Sequence, residues 1–122
     1  MRRVVITGLG ALTPIGNNLH EYWDGLINGI SGAGIITRFN PDKFKTKFAC
    51  EIKGYNSADY FDRKEVNKLD PYAQYAQVAA AEAIKDSGLD LDKINKDRAG
   101  VIWASGIGGL ETFFLAIKQH IL

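Results

Sequence analysis

Val4-Val5-Ile6 is a short β-branched run closed by Thr7-Gly8-Leu9-Gly10. An apolar run of this kind predicts a strand buried on both faces of a parallel sheet. Past Pro14 and Gly16, Asn18 is followed three residues later by Glu21. That is the spacing of a capping box, in which each side chain satisfies a backbone donor at a helix start. The helix it opens is expected to carry Tyr22, Trp23, Leu26 and Ile27 inward. Gly29, Gly32 and Gly34 surround its end, because glycine tolerates the left-handed conformation that closes helices.

From Ile35 to Asp62 the periodicity weakens, and Phe39, Phe44, Phe48, Tyr55, Tyr60 and Phe61 alternate with lysines. This pattern predicts an excursion over a surface, with one short strand at Lys47 to Ile52. Asp70-Pro71 then offers an N-cap oxygen and a φ suited to the first helical position. Tyr72, Tyr75, Ala76, Ala79, Ala80, Ala83 and Ile84 follow at three- and four-residue steps until Asp86-Ser87-Gly88. Alanine lets other backbone approach closely, so this helix is expected to be well buried. A charged, solvated connection from Asp90 to Arg98 leads to a second apolar strand at Val101-Ile102-Trp103-Ala104, then to Ser105-Gly106-Ile107-Gly108-Gly109 and a third helix from Leu110. Leu115, Ile117, Ile121 and Leu122 stay apolar to the last residue with no helix-stopping signal, and the chain is expected to be cut rather than finished.

The 122 residues suit one modest domain; 46% hydrophobic and 24% charged side chains exclude disorder, collagen and coiled coil. A net charge of +1 provides no global field for a nucleic acid or an anionic membrane. Locally, however, Arg38 to Leu69 holds eight cations against five anions. One cysteine, Cys50, allows no internal disulfide and belongs to no zinc-site spacing. With no secretory signal and no membrane-length apolar stretch, a cytoplasmic protein is expected.

The turn Gly8 to Gly16, after a strand and before a helix, could cradle a pyrophosphate on its backbone amides, or be a packed strand-to-helix turn. A dinucleotide fold should continue into a second buried strand ending in an acidic residue, and the aromatic excursion stands there instead. Cys50 could be a nucleophile or a structural thiol; no basic partner or helix N-terminus is evident to lower its pKa. His20 and His120 have no evident carboxylate partner and receive no catalytic role. At helical spacing, Lys64 and Lys68 of Arg63-Lys64-Glu65-Val66-Asn67-Lys68 share one face, either an anion-docking patch or plain solvated surface.

Taken in order, Val4-Val5-Ile6-Thr7-Gly8-Leu9-Gly10, Thr13-Pro14-Ile15-Gly16, Ser31-Gly32, Phe39, Thr46-Lys47-Phe48-Ala49, Arg63-Lys64-Glu65, Lys68, Asp70, Asp86-Ser87-Gly88-Leu89 and Ser105-Gly106-Ile107-Gly108-Gly109-Leu110 resemble the N-terminal part of the β-ketoacyl-acyl carrier protein synthases. The likeness is greatest to the synthase II branch of bacterial fatty-acid elongation. It implies an α/β, thiolase-like fold, of which residues 1–122 would be the N-terminal part of the first βαβαβ half with inserted cap elements. Residues 1–34 would form strand, turn and helix; residues 35–70 the excursion; residues 71–122 helix, strand, glycine-rich turn and helix.

The family reaction is a decarboxylative Claisen condensation that needs no organic cofactor or metal. Its nucleophilic cysteine and two histidines are expected beyond Leu122, so this segment alone is expected to be inactive. Cys50 falls where the family commonly has glycine and is not that nucleophile. The resemblance places Gly106, Ile107 and Gly108 at the acyl pocket, with Ile107 moving to admit longer chains and the two glycines giving it freedom. It places Arg63, Lys64 and Lys68 on the docking face for acidic acyl carrier protein, with Asn67 where an arginine is common. A homodimer is implied, with neither nucleic acid nor membrane as partner. Two alternatives stand beside this reading: a non-catalytic ketosynthase-like partner subunit, or chain-length factor, and a small nucleotide-binding α/β protein.

Overall fold

Helices form where the sequence supplies their ends. The computed structural model, which describes residues 3–121, contains α1 at Leu19–Ile27, a pair of two-residue antiparallel strands, β1 at Gly34–Ile35 with β2 at Phe48–Ala49, the single-turn α2 at Arg63–Val66, α3 at Pro71–Asp86 and α4 at Leu110–Ile121. Short 3-10 turns lie at Ser57–Asp59 and Lys96–Arg98. Met1, Arg2 and the apolar terminal Leu122 fall outside the described residues.

The Asn18 side chain accepts the Glu21 amide at 2.9 Å, as expected, but the Glu21 carboxylate reaches past the cap and accepts from Asn17 at 2.8 Å. The reciprocal capping box appears instead at α2, between Asp62 and Glu65. Gly29 and Gly88 follow α1 and α3 with φ of 63° and 62°, the left-handed closure expected of glycine.

α3 is the organising element. Val78 and Ala79 are its buried apolar residues, and Gln74 is buried between the excursion and the helix start. The Gln74 side chain accepts the Tyr55 hydroxyl at 2.9 Å and donates to the Leu69 carbonyl at 2.9 Å, so this buried amide is satisfied at both ends. Tyr55 also stacks on Tyr60 and meets Tyr75 edge to face, with ring centroids 5.6 and 5.1 Å apart. The excursion is therefore pinned to α3 by aromatic rings rather than by sheet pairing.

Both predicted parallel strands differ from expectation. Val4-Val5-Ile6 and Val101-Ile102-Trp103-Ala104 lie in no β-ladder among the described residues, and Ile102 is 98% exposed. A strand is made by the hydrogen bonds of its neighbours, and among the described residues neither run has another strand paired with it. The inward face expected of α1 is likewise uncovered, with Trp23 61% and Ile27 63% exposed. The short strand expected within Lys47 to Ile52 is present as β2, paired through Phe48 with Ile35 and through Ala49 with Gly34.

Candidate functional site

Two glycine-rich turns define the chemistry of this segment, and their surroundings decide which of them is open to a ligand. The turn from Gly8 is closed by α3. Leu9 donates its amide to Asp86 at 2.9 Å, Ala11 donates to one Glu82 oxygen at 2.8 Å, and Leu19, at the start of α1, donates to the other at 2.8 Å. The amides that a pyrophosphate would need already hold the protein's own carboxylates. The glycines serve close approach: a Cβ on Gly8 would lie 2.2 Å from the Ala83 carbonyl oxygen, and one on Gly10 only 2.0 Å from that of Ala79. The alanine face of α3 admits the turn, as the alanine spacing predicted. This is a packed turn leading to α1, and the nucleotide alternative is set aside.

The second turn, Gly106 to Gly109, is open. Ile107 is 75% exposed, and a Cβ on Gly106 would meet nothing within 4 Å. Of the glycines in this turn, Gly109 takes the left-handed backbone, with φ of 76°, while Gly106 and Gly108 do not. Gly108 instead lies against a ring: a Cβ there would stand 2.7 to 2.9 Å from the Tyr72 side chain. From Gly109 the chain enters α4, whose first turn is tied to the rest of the molecule twice. The Thr112 hydroxyl donates to the Asp70 carboxylate, and Arg38 pairs with Glu111 at 2.9 Å while donating to the Tyr75 hydroxyl at 2.7 Å. Asp70 thus spends its carboxylate on α4; as N-cap of α3 it makes no side-chain cap bond, contrary to the role expected from Asp70-Pro71.

Beside these ties lies an open apolar groove of about 560 Å³, walled by Phe39 and Phe44 on one side and Leu110, Phe114 and Leu115 on the other. Burial, with Tyr75 and then Tyr60 adding to it, pushes the Tyr55 hydroxyl above its ordinary value of 10.0, so it stays a neutral donor to Gln74.

Arg63, Lys64 and Lys68 are all exposed, and none is in an ion pair among the described residues. α2 ends at Val66 with Asn67 as its C-cap, so Lys68 lies beyond the helix and not on the helical face it was expected to share with Lys64. Pro71 disfavours helical backbone at Asp70, which is extended, and α3 begins at Pro71. Cys50 is a free, exposed cysteine just past β2, beside Glu51. His20 has a carboxylate partner that sequence reading missed, Asp24 one turn on at 3.0 Å, on an open face of α1.

The profile described as "Beta-ketoacyl synthase, N-terminal domain" matches residues 1–120. The chain belongs to the β-ketoacyl synthase family. It is 47% identical over 118 residues to the 3-oxoacyl-acyl-carrier-protein synthase 2 of Staphylococcus aureus (strain COL), covering 97% of this chain and 28% of that protein. To the protein of the same name from Synechocystis sp. it is 44% identical over 121 residues, covering 99% of this chain and 29% of the other. The chain therefore spans just over a quarter of the length of these relatives.

Among solved structures, the ishigamide ketosynthase/chain length factor superposes with a TM-score of 0.68 at 38% identity, over 76% of this chain and 23% of that one. A type II polyketide ketosynthase in complex with its acyl-carrier protein superposes with a TM-score of 0.56 at 26% identity, over 75% of this chain and 23% of that one. The thiolase-like α/β fold of the ketosynthases is thus the fold of this segment.

The residues that sequence reading missed are Glu82 and Asp86, which close the first turn, and Tyr72, Arg38 and Thr112, which hold the second. Glu82 and Asp86 did carry a signal: two carboxylates one helical turn apart beside an alanine face, facing a run of otherwise unpaired loop amides. Arg38 and Thr112 carried none, because their partners lie 37 or more residues away in sequence.

Proposed function

We propose that this chain is the N-terminal portion of a β-ketoacyl-acyl carrier protein synthase II, an acyltransferase that elongates fatty acyl chains. The observation that carries the reading is the 47% identity to a 3-oxoacyl-acyl-carrier-protein synthase 2 across 97% of the chain. In the proposed reaction a cysteine thiolate accepts an acyl group from acyl carrier protein as a thioester. Two histidines donate to the carbonyl oxygen of the malonyl thioester while carbon dioxide leaves. The resulting carbanion attacks the acyl thioester, a carbon–carbon bond forms, and the cysteine thiolate departs. That cysteine and both histidines are expected beyond Leu122, so the part played by residues 1–122 is binding and positioning.

Within that part, Ile107 on its open turn is the wall of the acyl pocket, and Gly106 and Gly108 are the backbone beside it. Arg63, Lys64 and Lys68 form a cationic surface for acidic acyl carrier protein; their exposure, with no ion pair among the described residues, suits long-range attraction that steers encounter. The assembled enzyme is a cytoplasmic homodimer. Among the described residues no helix is long and apolar enough to cross a membrane.

Full-length protein supplied with acyl- and malonyl-acyl carrier protein is expected to release carbon dioxide and yield the 3-oxoacyl product. The double variant Lys64→Glu/Lys68→Glu should raise KM for the carrier protein by about tenfold, the two contacts being worth about 0.7 kcal/mol each, and the difference should shrink in salt. The superposition on a ketosynthase/chain length factor favours one second reading, a non-catalytic partner subunit. No condensation in the assay, together with a residue other than cysteine at the nucleophile position, would assign that role.

A further inference from the structure

The Gly106 to Gly109 turn is free at one end and held at the other. Nothing stands within 4 Å of the space beside Gly106, whereas Gly108 rests on the Tyr72 ring. Tyr72 lies in the first turn of α3, and Asp70 caps that helix in position only: its carboxylate is engaged by Thr112 instead of by an α3 amide. An N-cap carboxylate ordinarily accepts an amide of its own helix, so Asp70 forgoes that local stabilisation for a tie 42 residues away. A Cβ at Gly109 would sit 4.0 Å from the same carboxylate, which places Asp70 under the very residue whose left-handed backbone starts α4.

We propose that Tyr72 and Asp70 are positioning residues for Ile107: they fix Gly108 to Thr112 on the start of α3, so the turn swings only about Gly106, and this sets how far Ile107 yields to an acyl chain. The inference rests on the reading of Ile107 as a wall of the acyl pocket. Tyr72 supplies a flat stop, and at 45% exposed its ring is not locked by a core. The restraint is therefore local, and removing it should change the travel of the turn more than the stability of the fold.

The test compares wild-type full-length protein with Tyr72→Ala, Tyr72→Phe and Thr112→Ala. Two quantities are read: the ratio of kcat/KM for a long acyl-acyl carrier protein to that for a short one, and amide hydrogen exchange across residues 105–110. Tyr72→Ala is expected to shift the ratio toward long chains by about 3- to 10-fold and to speed exchange at the turn. Tyr72→Phe, which keeps the ring, should match wild type in both.

A folded Tyr72→Ala with an unchanged ratio and unchanged exchange overturns the proposal. Should Tyr72→Ala fail to fold, Thr112→Ala decides, since it removes one hydroxyl from an exposed helix turn: faster exchange at Gly106 to Gly109 supports the restraint, and wild-type exchange overturns it. A wild-type protein with no condensation activity defeats the acyl-pocket reading instead, and the exchange measurement still judges the restraint separately.

Discussion

The two glycine-rich turns are alike in sequence and opposite in setting. Each follows a short β-branched run and leads toward a helix. Around Gly8 and Gly10 the backbone of α3 comes so close that no side chain fits, and Glu82 and Asp86 take up the loop amides. Among the described residues there is open space beside Gly106, while Gly108 rests on the Tyr72 ring and Gly109 lies near the Asp70 carboxylate. Glycine in the first turn permits packing, and in the second it leaves room for a turn to move. Which of the two applies depends on what stands opposite, and that is a property of the fold.

The contrast is broken most directly at Gly10. Gly10→Ala puts a methyl group 2.0 Å from a backbone oxygen of a packed helix, which cannot turn aside as a side chain can. A loss of about 3 kcal/mol or more is expected in urea unfolding of the full-length protein. A loss below about 1 kcal/mol would mean that the turn and α3 separate easily, and the contrast would fail.

Next in size is Glu82→Ala, which strands the amides of Ala11 and Leu19 together; about 2 to 3 kcal/mol is expected by the same measurement. Asp86→Ala strands the exposed Leu9 amide alone and should cost about 1 kcal/mol or less. Equal effects for the two carboxylates would show that Glu82 does not bridge the turn and α1.

Acid sharpens the picture in the excursion. Glu51 accepts the Thr37 hydroxyl at 2.7 Å and the backbone amides of Thr37 and Arg38, and these bonds, the hydroxyl first, hold its carboxyl below the ordinary 4.5. Because the folded value is the lower one, the stabilisation is complete above the ordinary value and disappears as pH falls through the folded one. Thermal midpoints followed downward from about pH 5 should show a small acid-sensitive step that Glu51→Gln removes. The smallest effect is expected at Gly106→Ala, within about 0.5 kcal/mol of wild type in stability, since no atom of the described residues lies within 4 Å of the added methyl group.

Much of the local structure was legible along the chain. Asn18 does cap α1, alanines at three- and four-residue steps do mark the helix on which the rest packs, and the short strand within Lys47 to Ile52 is real. These features depend on side chains acting on backbone a few residues away. The misreadings share the opposite dependence. Val4-Val5-Ile6 and Val101-Ile102-Trp103-Ala104 have the composition of strands, yet pairing requires a neighbour that composition does not supply. Asp70 has the identity and place of a cap, yet Thr112 offers its carboxylate a hydroxyl from 42 residues away. Lys64 and Lys68 have helical spacing, yet the chain leaves the helix between them.

The sequence by itself determined the family, through an ordered set of motifs that runs nearly the length of the chain, and it determined α1 through its cap and α3 through its periodicity. Only the tertiary structure decided which glycine turn is sealed and which is open. The physical reason is range: caps and periodicity act over one or two helical turns. The bonds from Leu9 to Asp86 and from Ala11 to Glu82 join residues more than 70 positions apart, and exist only once α3 lies against the turn.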